Sequence, residues 1–161
     1  MRFSLIDRIT ELEPGRSITA VKNLTMAEEY LLDHFPGFPV MPGVLMLESL
    51  VQAGAWLMRA STDFAYSSIL LQQARALKFN NFLRPGQTMT VTATIHKWDG
   101  DVCTLKAAGH VGQTNTVSAR LTLWQFNLRD RNPALAESDE RRIRYFRDLF
   151  EQIAPRPAGD G

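Results

Sequence analysis

The chain has 161 residues, 45% of them hydrophobic and 22% charged, and its formal net charge at pH 7 is +1. This length and composition are ordinary for one soluble globular domain with a hydrophobic core. A net charge this close to zero argues against a nucleic-acid-binding surface, which normally has a strong basic excess. The single cysteine, Cys103, excludes an intramolecular disulfide and fits a reducing compartment.

Nothing in the sequence indicates secretion or a membrane span. Asp7 and Arg8 interrupt the stretch that would have to be apolar in a signal peptide. The longest apolar run, residues 44–58, contains polar side chains and is shorter than the roughly 20 residues that a bilayer requires. We therefore expect a cytoplasmic protein without a membrane-spanning helix.

The first part of the chain predicts a long apolar helix preceded by smaller elements. In chain order the pattern predicts a lead-in (residues 1–16), a strand (16–24), a short helix (26–32), a loop with three prolines (34–42) and the long helix (43–59). Thr25 is positioned to cap the short helix. The long helix is apolar on nearly every side, which is typical of a helix enclosed by other elements.

Beyond this helix the hydrophobic period changes from helical to two. Four strands are predicted, at residues 69–79, 88–98, 103–111 and 117–124. Turns at residues 84–87, 99–101 and 112–115 join them. The alternation gives an antiparallel meander with one apolar face. Because the apolar helix needs cover on all sides, we predict an α+β fold in which the sheet curls around it.

A compositional change at Arg129 marks the end of this unit. The sequence then predicts an amphipathic helix over residues 138–154 and a Pro/Gly tail, residues 155–161, that we expect to be disordered. We therefore divide the chain into a main domain, residues 1–128, and a C-terminal extension, residues 129–161.

The segment from His34 to Gln52, HFPGFPVMPGVLMLESLVQ, contains the residues most suited to chemistry. His34 lies in the proline-rich loop, and a general base needs its ring held in place. Glu48 lies in the apolar helix, where a carboxylate is costly unless it is paired or neutralised. The pattern therefore indicates acid/base chemistry. The alternative is a hydrogen-bonded polar trio of Glu48, Ser49 and Gln52 that only fixes how the helix docks.

Other motifs are either ambiguous or missing. Gly43 is a plain helix-start residue or, because it has no side chain, a source of an exposed N–H that polarises a carbonyl group. Cys103 is expected in the core rather than as a nucleophile. The sequence has no metal-ligand spacing, P-loop, dinucleotide fingerprint or nucleophile elbow, so we expect neither a metal nor a cofactor.

The segment 34–52 closely resembles the active-site segment of bacterial 3-hydroxyacyl-[acyl-carrier-protein] dehydratases of the FabZ type. The resemblance extends over about residues 3–126 and includes shorter matches at residues 3–9, 13–15, 21–25 and 84–86 (FSLIDRI, EPG, VKNLT and RPG). The sister FabA-type enzymes have Asp where this chain has Glu48, which favours the FabZ type. The resemblance implies the hotdog fold, the same sheet-around-helix arrangement that the hydrophobic pattern predicts.

The resemblance also implies an activity and a set of roles. Such enzymes remove water from a (3R)-hydroxyacyl thioester on acyl carrier protein to give the trans-2-enoyl thioester, in fatty-acid or related acyl and polyketide biosynthesis. His34 would take the proton from C2 and Glu48 would protonate the departing hydroxyl group. The N–H of Gly43 would bind the thioester carbonyl. Val40 C=O would orient the imidazole, and Gln52 would support Glu48.

Further implications concern partners. The implied assembly is a homodimer in which His34 of one subunit and Glu48 of the other complete each site, and a trimer of dimers is left open. The acyl chain, attached to the phosphopantetheine arm of the carrier, would lie in an apolar tunnel lined by Trp56, Phe79 and Phe82. Arg75, Lys78 and Arg84 are candidates for docking the carrier protein.

The chain also departs from the family pattern. Asn80 and Asn81 stand where the family has basic residues, and Asp33 replaces a usual glycine before His34. Two alternatives therefore stay open: a catalytically silent hotdog protein that binds acyl chains or serves as a scaffold, and a hotdog thioesterase or hydratase.

Overall fold

A computed structural model describes residues 3–155 of the chain. Its strands form one six-stranded antiparallel sheet in the spatial order β1-β2-β4-β5-β6-β3. The strands are β1 (Arg8–Glu13), β2 (Ser17–Asn23), β3 (Ser68–Phe79), β4 (Thr88–Asp99), β5 (Val102–Val111) and β6 (Thr114–Phe126). The helices are α1 (Tyr30–Asp33), α2 (Gly43–Ser61) and α3 (Ala136–Ile153), with short 3-10 helices at Leu128–Asp130 and Pro133–Leu135.

The sheet curls around α2, which contacts β2, β3, β4, β5 and β6. The inward side chains come from alternate positions of each strand, as the period of two predicts, and are fully buried against the helix. Met89, Val91 and Ala93 illustrate this on β4. Gly54 of α2 lies so close to β6 that a Cβ atom there would approach Leu123 to 3.0 Å. The predicted α+β fold with a curved antiparallel sheet around a central helix is confirmed.

The C-terminal helix α3 covers part of α2 that the sheet leaves open. Its apolar stripe faces Trp56 and Phe64, with Phe146 at 5.7 Å from the Trp56 ring centre and Phe150 at 5.3 Å from that of Phe64. Asp139 fixes the start of α3, because its buried carboxylate accepts hydrogen bonds from Ser67 and from the N–H groups of residues 128 and 129. The predicted tail, residues 155–161, lies outside the described residues except for Pro155.

Two sequence predictions for the N-terminal part are wrong. Residues 8–13, predicted as lead-in, form strand β1; a bulge between Ile9 and Glu11 interrupts the period of two that would have revealed it. The helix predicted over residues 26–32 is only the single turn α1. Thr25 instead accepts a hydrogen bond from the N–H of Ala27 at 3.3 Å, which stabilises a local turn.

The two edges of the sheet differ in character. The outer strand β1 exposes charged side chains, which discourage pairing with another chain. The opposite edge strand, β3, is exposed along most of its length and presents Leu70 and Leu71 to solvent. This apolar edge is the part of the described sheet most suited to contact a second chain.

Candidate active site

The loop that carries His34 is held at both ends. The N–H of His34 donates to Tyr30 C=O at 3.2 Å, which closes the turn of α1. At the far end the N–H of Met41 donates to Leu83 C=O at 2.9 Å, which ties the loop to the connection between β3 and β4. Phe35 has a φ of 50°, a costly value for a side chain of this size. The backbone of the loop is thus anchored at both ends.

His34 and Gly43 line the same apolar cavity, whose volume is about 360 Å³. The Phe79 ring packs over the start of α2, and a Cβ atom at residue 43 would come within 3.1 Å of it. A side chain at residue 43 would therefore require the Phe79 ring to shift by a few tenths of an ångström. The remaining lining residues are Phe35, Val40, Met41, Met46, Asn80, Asn81 and Phe82.

The start of α2 offers unused hydrogen-bond donors to this cavity. Pro42, at the N-cap, supplies no side-chain acceptor, and its C=O receives the N–H groups of Leu45 and Met46. Within residues 3–155, the N–H of Gly43 makes no hydrogen bond. This N–H lies at the positive end of the helix dipole, so it is suited to an oxygen on which negative charge develops.

Glu48 is half-buried on α2 and has a defined partner. The Nε2 atom of Gln52 donates to Glu48 Oε1 at 3.1 Å and also to Phe3 C=O at 3.1 Å. The Oε1 atom of Gln52 accepts the N–H of Leu5 at 2.8 Å. Ser49, the third member of the predicted trio, is buried, and among the described residues its hydroxyl bonds only to Leu45 C=O. The trio is thus a Glu48–Gln52 pair anchored to the N-terminal segment.

Within one chain, His34 and Glu48 line different cavities. Glu48 lines a cleft between α2 and α3, together with Gln52 and Trp56, whereas His34 faces the cavity at the start of α2. Within the described residues, the imidazole makes an edge contact with Phe35 at 4.4 Å and no side-chain hydrogen bond, so the expected contact with Val40 C=O is not formed inside one chain. Neither cavity of the described chain contains both groups.

The three aromatic residues expected in an acyl tunnel are divided in the same way. Phe79 and Phe82 line the His34 cavity and are about half exposed in the single chain. Trp56 lies in the Glu48 cleft, where its ring packs on Phe146 and Phe150 of α3. The three residues therefore do not line one cavity within the described chain.

The expected docking residues also lie in two places. Arg84 is near the His34 loop, with its guanidinium 5.2 Å from the centre of the Phe38 ring. Arg75 and Lys78 lie on the outer face of the sheet, where they border a concavity of about 580 Å³. Lys106 and Arg120 border the same concavity. Sequence reasoning missed these two, although their outward positions in alternating strands were a usable signal.

The register explains why these cations form a cluster. Arg75 pairs with Arg120, and Arg120 pairs in turn with Lys106 on the next strand. Like charges directly opposite one another are unfavourable in a sheet. None of the three forms an ion pair within residues 3–155. This basic row is therefore suited to an acidic partner.

The single cysteine lies in the core, as the sequence predicts. Cys103 is fully buried in the core, and burial raises the pKa of its thiol to about 12. Residues 3–155 contain no group of three or more His, Cys, Asp or Glu side chains arranged to hold a metal ion. In the same part of the chain, no helix has both the length and the apolar character to cross a membrane.

The six-stranded antiparallel sheet curved around a central helix is the arrangement of a hotdog-fold protein. Solved structures share this fold: a dehydratase heterocomplex from Xenorhabdus doucetiae (TM-score 0.67, 15% identity, covering 83% of this chain and 90% of that one) and a Streptococcus mutans protein bound to acetyl-CoA (TM-score 0.58, 13% identity, covering 78% and 91%).

Sequence comparisons define the family. The profile of the FabA-like domain matches residues 1–120, and the chain belongs to this family. It is 41% identical over 117 residues to the 3-hydroxyacyl-[acyl-carrier-protein] dehydratase FabZ of Levilactobacillus brevis. The matched residues are 73% of this chain and 79% of the relative. It is 34% identical over 130 residues to the FabZ of Clostridium kluyveri, covering 81% and 88%.

Proposed function

We propose that this protein is a hydro-lyase that converts a (3R)-hydroxyacyl thioester on acyl carrier protein to the trans-2-enoyl thioester, in fatty-acid or related acyl biosynthesis. Support for the reaction comes from relatives that are named 3-hydroxyacyl-[acyl-carrier-protein] dehydratases. The structural observation that carries the proposal is the shared cavity of His34 and the unbonded N–H of Gly43. This pair combines a base with a donor for the oxygen whose charge increases when C2 is deprotonated.

The reaction assigns one bond change to each group. The thioester carbonyl oxygen accepts the N–H of Gly43, and the His34 imidazole takes a proton from C2. The electron pair released at C2 forms the C2=C3 double bond as the C3–O bond breaks. Glu48 gives its proton to the departing hydroxyl group, which leaves as water. Gln52 holds the Glu48 carboxyl in place.

The active form is a homodimer in which each site combines His34 of one subunit with Glu48 of the other. Two observations support this: the two groups line different cavities in one chain, and β3 is an exposed edge strand with apolar side chains. Pairing of β3 with its copy would extend the sheet across the dimer. The acyl tunnel then contains Trp56, Phe79 and Phe82, and a trimer of dimers is a further assembly to test.

The carrier protein docks on basic residues in two places. Arg84 lies beside the His34 loop, and the basic row of Arg75, Arg120 and Lys106 lies on the outer face of the sheet, where Lys78 borders the same concavity. Complementary charge mainly increases the rate of association, so these residues affect carrier-linked substrates most. A cytoplasmic location is consistent with such a partner. Residues 1–128 form the catalytic domain and residues 129–161 an extension.

The proposal is tested by incubating the purified protein with (3R)-hydroxybutyryl carrier protein and following enoyl thioester absorbance. His34→Ala and Glu48→Gln should each lower kcat by 100-fold or more, as expected for loss of a general acid or base, which contributes about 10²–10⁴. His96→Ala is the matched control, because His96 is exposed on β4. An intact fold with no turnover but with tight acyl-thioester binding would support the catalytically silent alternative.

A further inference from the structure

The cleft that contains Glu48 continues along α2 to a buried arginine. Its volume is about 230 Å³, and its walls come from one face of α2 and from α3. Glu48, Gln52 and Arg59 share this face of α2. Arg59 follows Glu48 by 11 residues in α2, a rise of about 16 Å along the helix axis. The cleft therefore has a carboxylate at one end and a guanidinium at the other.

Arg59 is buried without a polar partner. Only 7% of the residue is exposed, and its Nε–H is fully buried with no hydrogen-bond acceptor among residues 3–155. The guanidinium instead lies 3.8 Å from the centre of the Phe146 ring and 5.4 Å from that of Trp56. Buried charges normally have partners, because their desolvation is costly. A cation–π contact alone does not satisfy the donors of the guanidinium.

A second cation faces the same space. Arg142 of α3 lines the cleft, and burial together with the Arg142 charge lowers the pKa of Arg59 to about 10. Arg59 therefore remains charged at neutral pH. Neither forms an ion pair with a carboxylate of residues 3–155. The lining acid, Glu48, bonds to Gln52 and lies at the other end of the cleft.

The walls between the two ends are mostly apolar. Val51, Ala55 and Trp56 from α2 and Ile69 from β3 line the cleft between Glu48 and the arginines. Such walls suit a chain of methylene groups, because burial of apolar surface away from water is favourable. Bidentate binding of a carboxylate is the geometry that guanidinium groups favour. The cleft thus combines a methylene channel with an anion site at its far end.

We propose that this cleft binds the distal part of the acyl chain, and that Arg59 and Arg142 bind an anionic group, a carboxylate, at the end of that chain. This inference rests on the proposed function. With the C3 hydroxyl at Glu48 and the thioester at the His34 cavity, the carbons beyond C3 extend into the cleft. The preferred substrates are then 3-hydroxyacyl thioesters with a carboxylate at the far end. The anion site depends on α3, which lies beyond the residues matched by the family profile.

The test compares pantetheine thioesters of (3R)-hydroxyacyl chains that have the same length and end in either a carboxylate or a methyl group. A pantetheine thioester contains no phosphate, so a preference between the two cannot come from phosphate binding. The readout is the ratio of the two kcat/KM values, in which effects on folding and on the chemical step cancel. We expect the wild-type protein to prefer the carboxylate by about tenfold or more at the best length, since a hydrogen bond to a charged group contributes about 1.5–3 kcal/mol.

Variants of Arg59 and Arg142 test whether these residues cause the preference for the carboxylate-ended thioester. Arg142→Gln, at an exposed position, and Arg59→Met should each lower the ratio toward one. Arg144→Gln is the matched control, because Arg144 is exposed on α3 and does not line the cleft. A wild-type ratio near one at every length, with normal turnover of (3R)-hydroxybutyryl pantetheine, would overturn the inference and leave the proposed function intact.

If no thioester is turned over, a binding measurement still tests the anion site. Azelate, a straight-chain dicarboxylate, should raise the Tm of the wild-type protein and of Arg144→Gln, but not that of Arg142→Gln. Absence of turnover with this pattern of Tm shifts would refute the proposed function and retain the anion site. Equal shifts in all three proteins would refute the anion site.

Discussion

Gln52 connects the candidate acid Glu48 to the N-terminal segment of the chain. Its side-chain amide donates to Glu48 Oε1 at 3.1 Å and accepts the N–H of Leu5 at 2.8 Å. The position of the carboxylate therefore depends on how residues 3–6 pack against α2. Gln52, one helical turn beyond Glu48, thus holds the Glu48 carboxylate against the N-terminal segment. Through Gln52, the packing of that segment affects the group that donates the proton in the proposed reaction.

Replacement of this residue tests the connection. Gln52→Leu removes the donor to Glu48 at similar side-chain volume, and we expect kcat to fall about tenfold with KM little changed, since a lost hydrogen bond to a charged group corresponds to about 1.5–3 kcal/mol. Steady-state kinetics with (3R)-hydroxybutyryl pantetheine measure this split. Gln152→Leu, at an exposed position of α3, is the control. A rise in KM with kcat unchanged would contradict a role in positioning the acid.

Subunit complementation tests the shared site. His34→Ala and Glu48→Gln are each expected to be inactive as homodimers. After mixed refolding, one site of each heterodimer has both groups, so random pairing restores about a quarter of wild-type activity. Activity is measured before and after refolding of the mixture. If both groups acted within one chain, no activity would return.

The exposed strand β3 is expected to form the dimer interface. Leu70→Lys places a charge on this apolar edge, which opposes strand pairing, and should yield a monomer with little activity. Sedimentation or light scattering gives the oligomeric state, and the enoyl thioester assay gives the activity. Leu135→Lys, at an exposed leucine before α3, should remain dimeric and active. A Leu70→Lys protein that stays dimeric would rule out the β3 interface, and one that is monomeric but fully active would rule out the shared site.

The basic row is expected to act on the carrier rather than on the thioester. Arg120→Glu removes one cation from the centre of the row and adds a negative charge beside Arg75 and Lys106. We expect kcat/KM for a carrier-linked substrate to fall about tenfold or more, and that for the pantetheine thioester to stay unchanged. Lys97→Glu, at an exposed position of β4, should leave both values near wild type. Equal losses on the two substrates would indicate a structural defect instead.

Asp139 is expected to make the stability of α3 depend on pH. Although burial opposes its charged form, hydrogen bonds from Ser67 and from the N–H groups of residues 129 and 128, with the charge of Arg129, lower the pKa of Asp139 below its ordinary value. A carboxyl group whose pKa is lower in the folded state stabilises the fold above its unfolded pKa of about 3.9, and this stabilisation is lost as the pH falls below that value.

Denaturant unfolding at two pH values measures this contribution. At pH 7, Asp139→Asn should lower the free energy of unfolding by about 2–3 kcal/mol, because the buried carboxylate accepts hydrogen bonds from several donors. Near pH 3 the difference from wild type should shrink. Asp148→Asn, at an exposed position of α3, should change little at either pH. A difference that is independent of pH would mean that the Asp139 charge is not what stabilises the contact.

Local patterns in the sequence determined much of the architecture. The period of two in β4, β5 and β6 and the apolar character of α2 were sufficient to predict a sheet curved around a helix. The segment from His34 to Gln52 was sufficient to predict a loop histidine, a helix-start glycine and a helix carboxylate with an amide one turn later. These features are readable because side chains close in sequence share a face of one helix or strand.

Tertiary structure alone decided which distant residues meet. Because of its bulge, β1 lacks the regular period of two by which a strand is recognised in the sequence. Arg75, Lys106 and Arg120 are neighbours only through the register of three strands. Arg59 and Arg142 face one cleft because α3 folds back onto α2. The division of His34 and Glu48 between two cavities is likewise a tertiary property. Hydrophobic period describes each element separately, whereas these contacts depend on how the elements pack against one another.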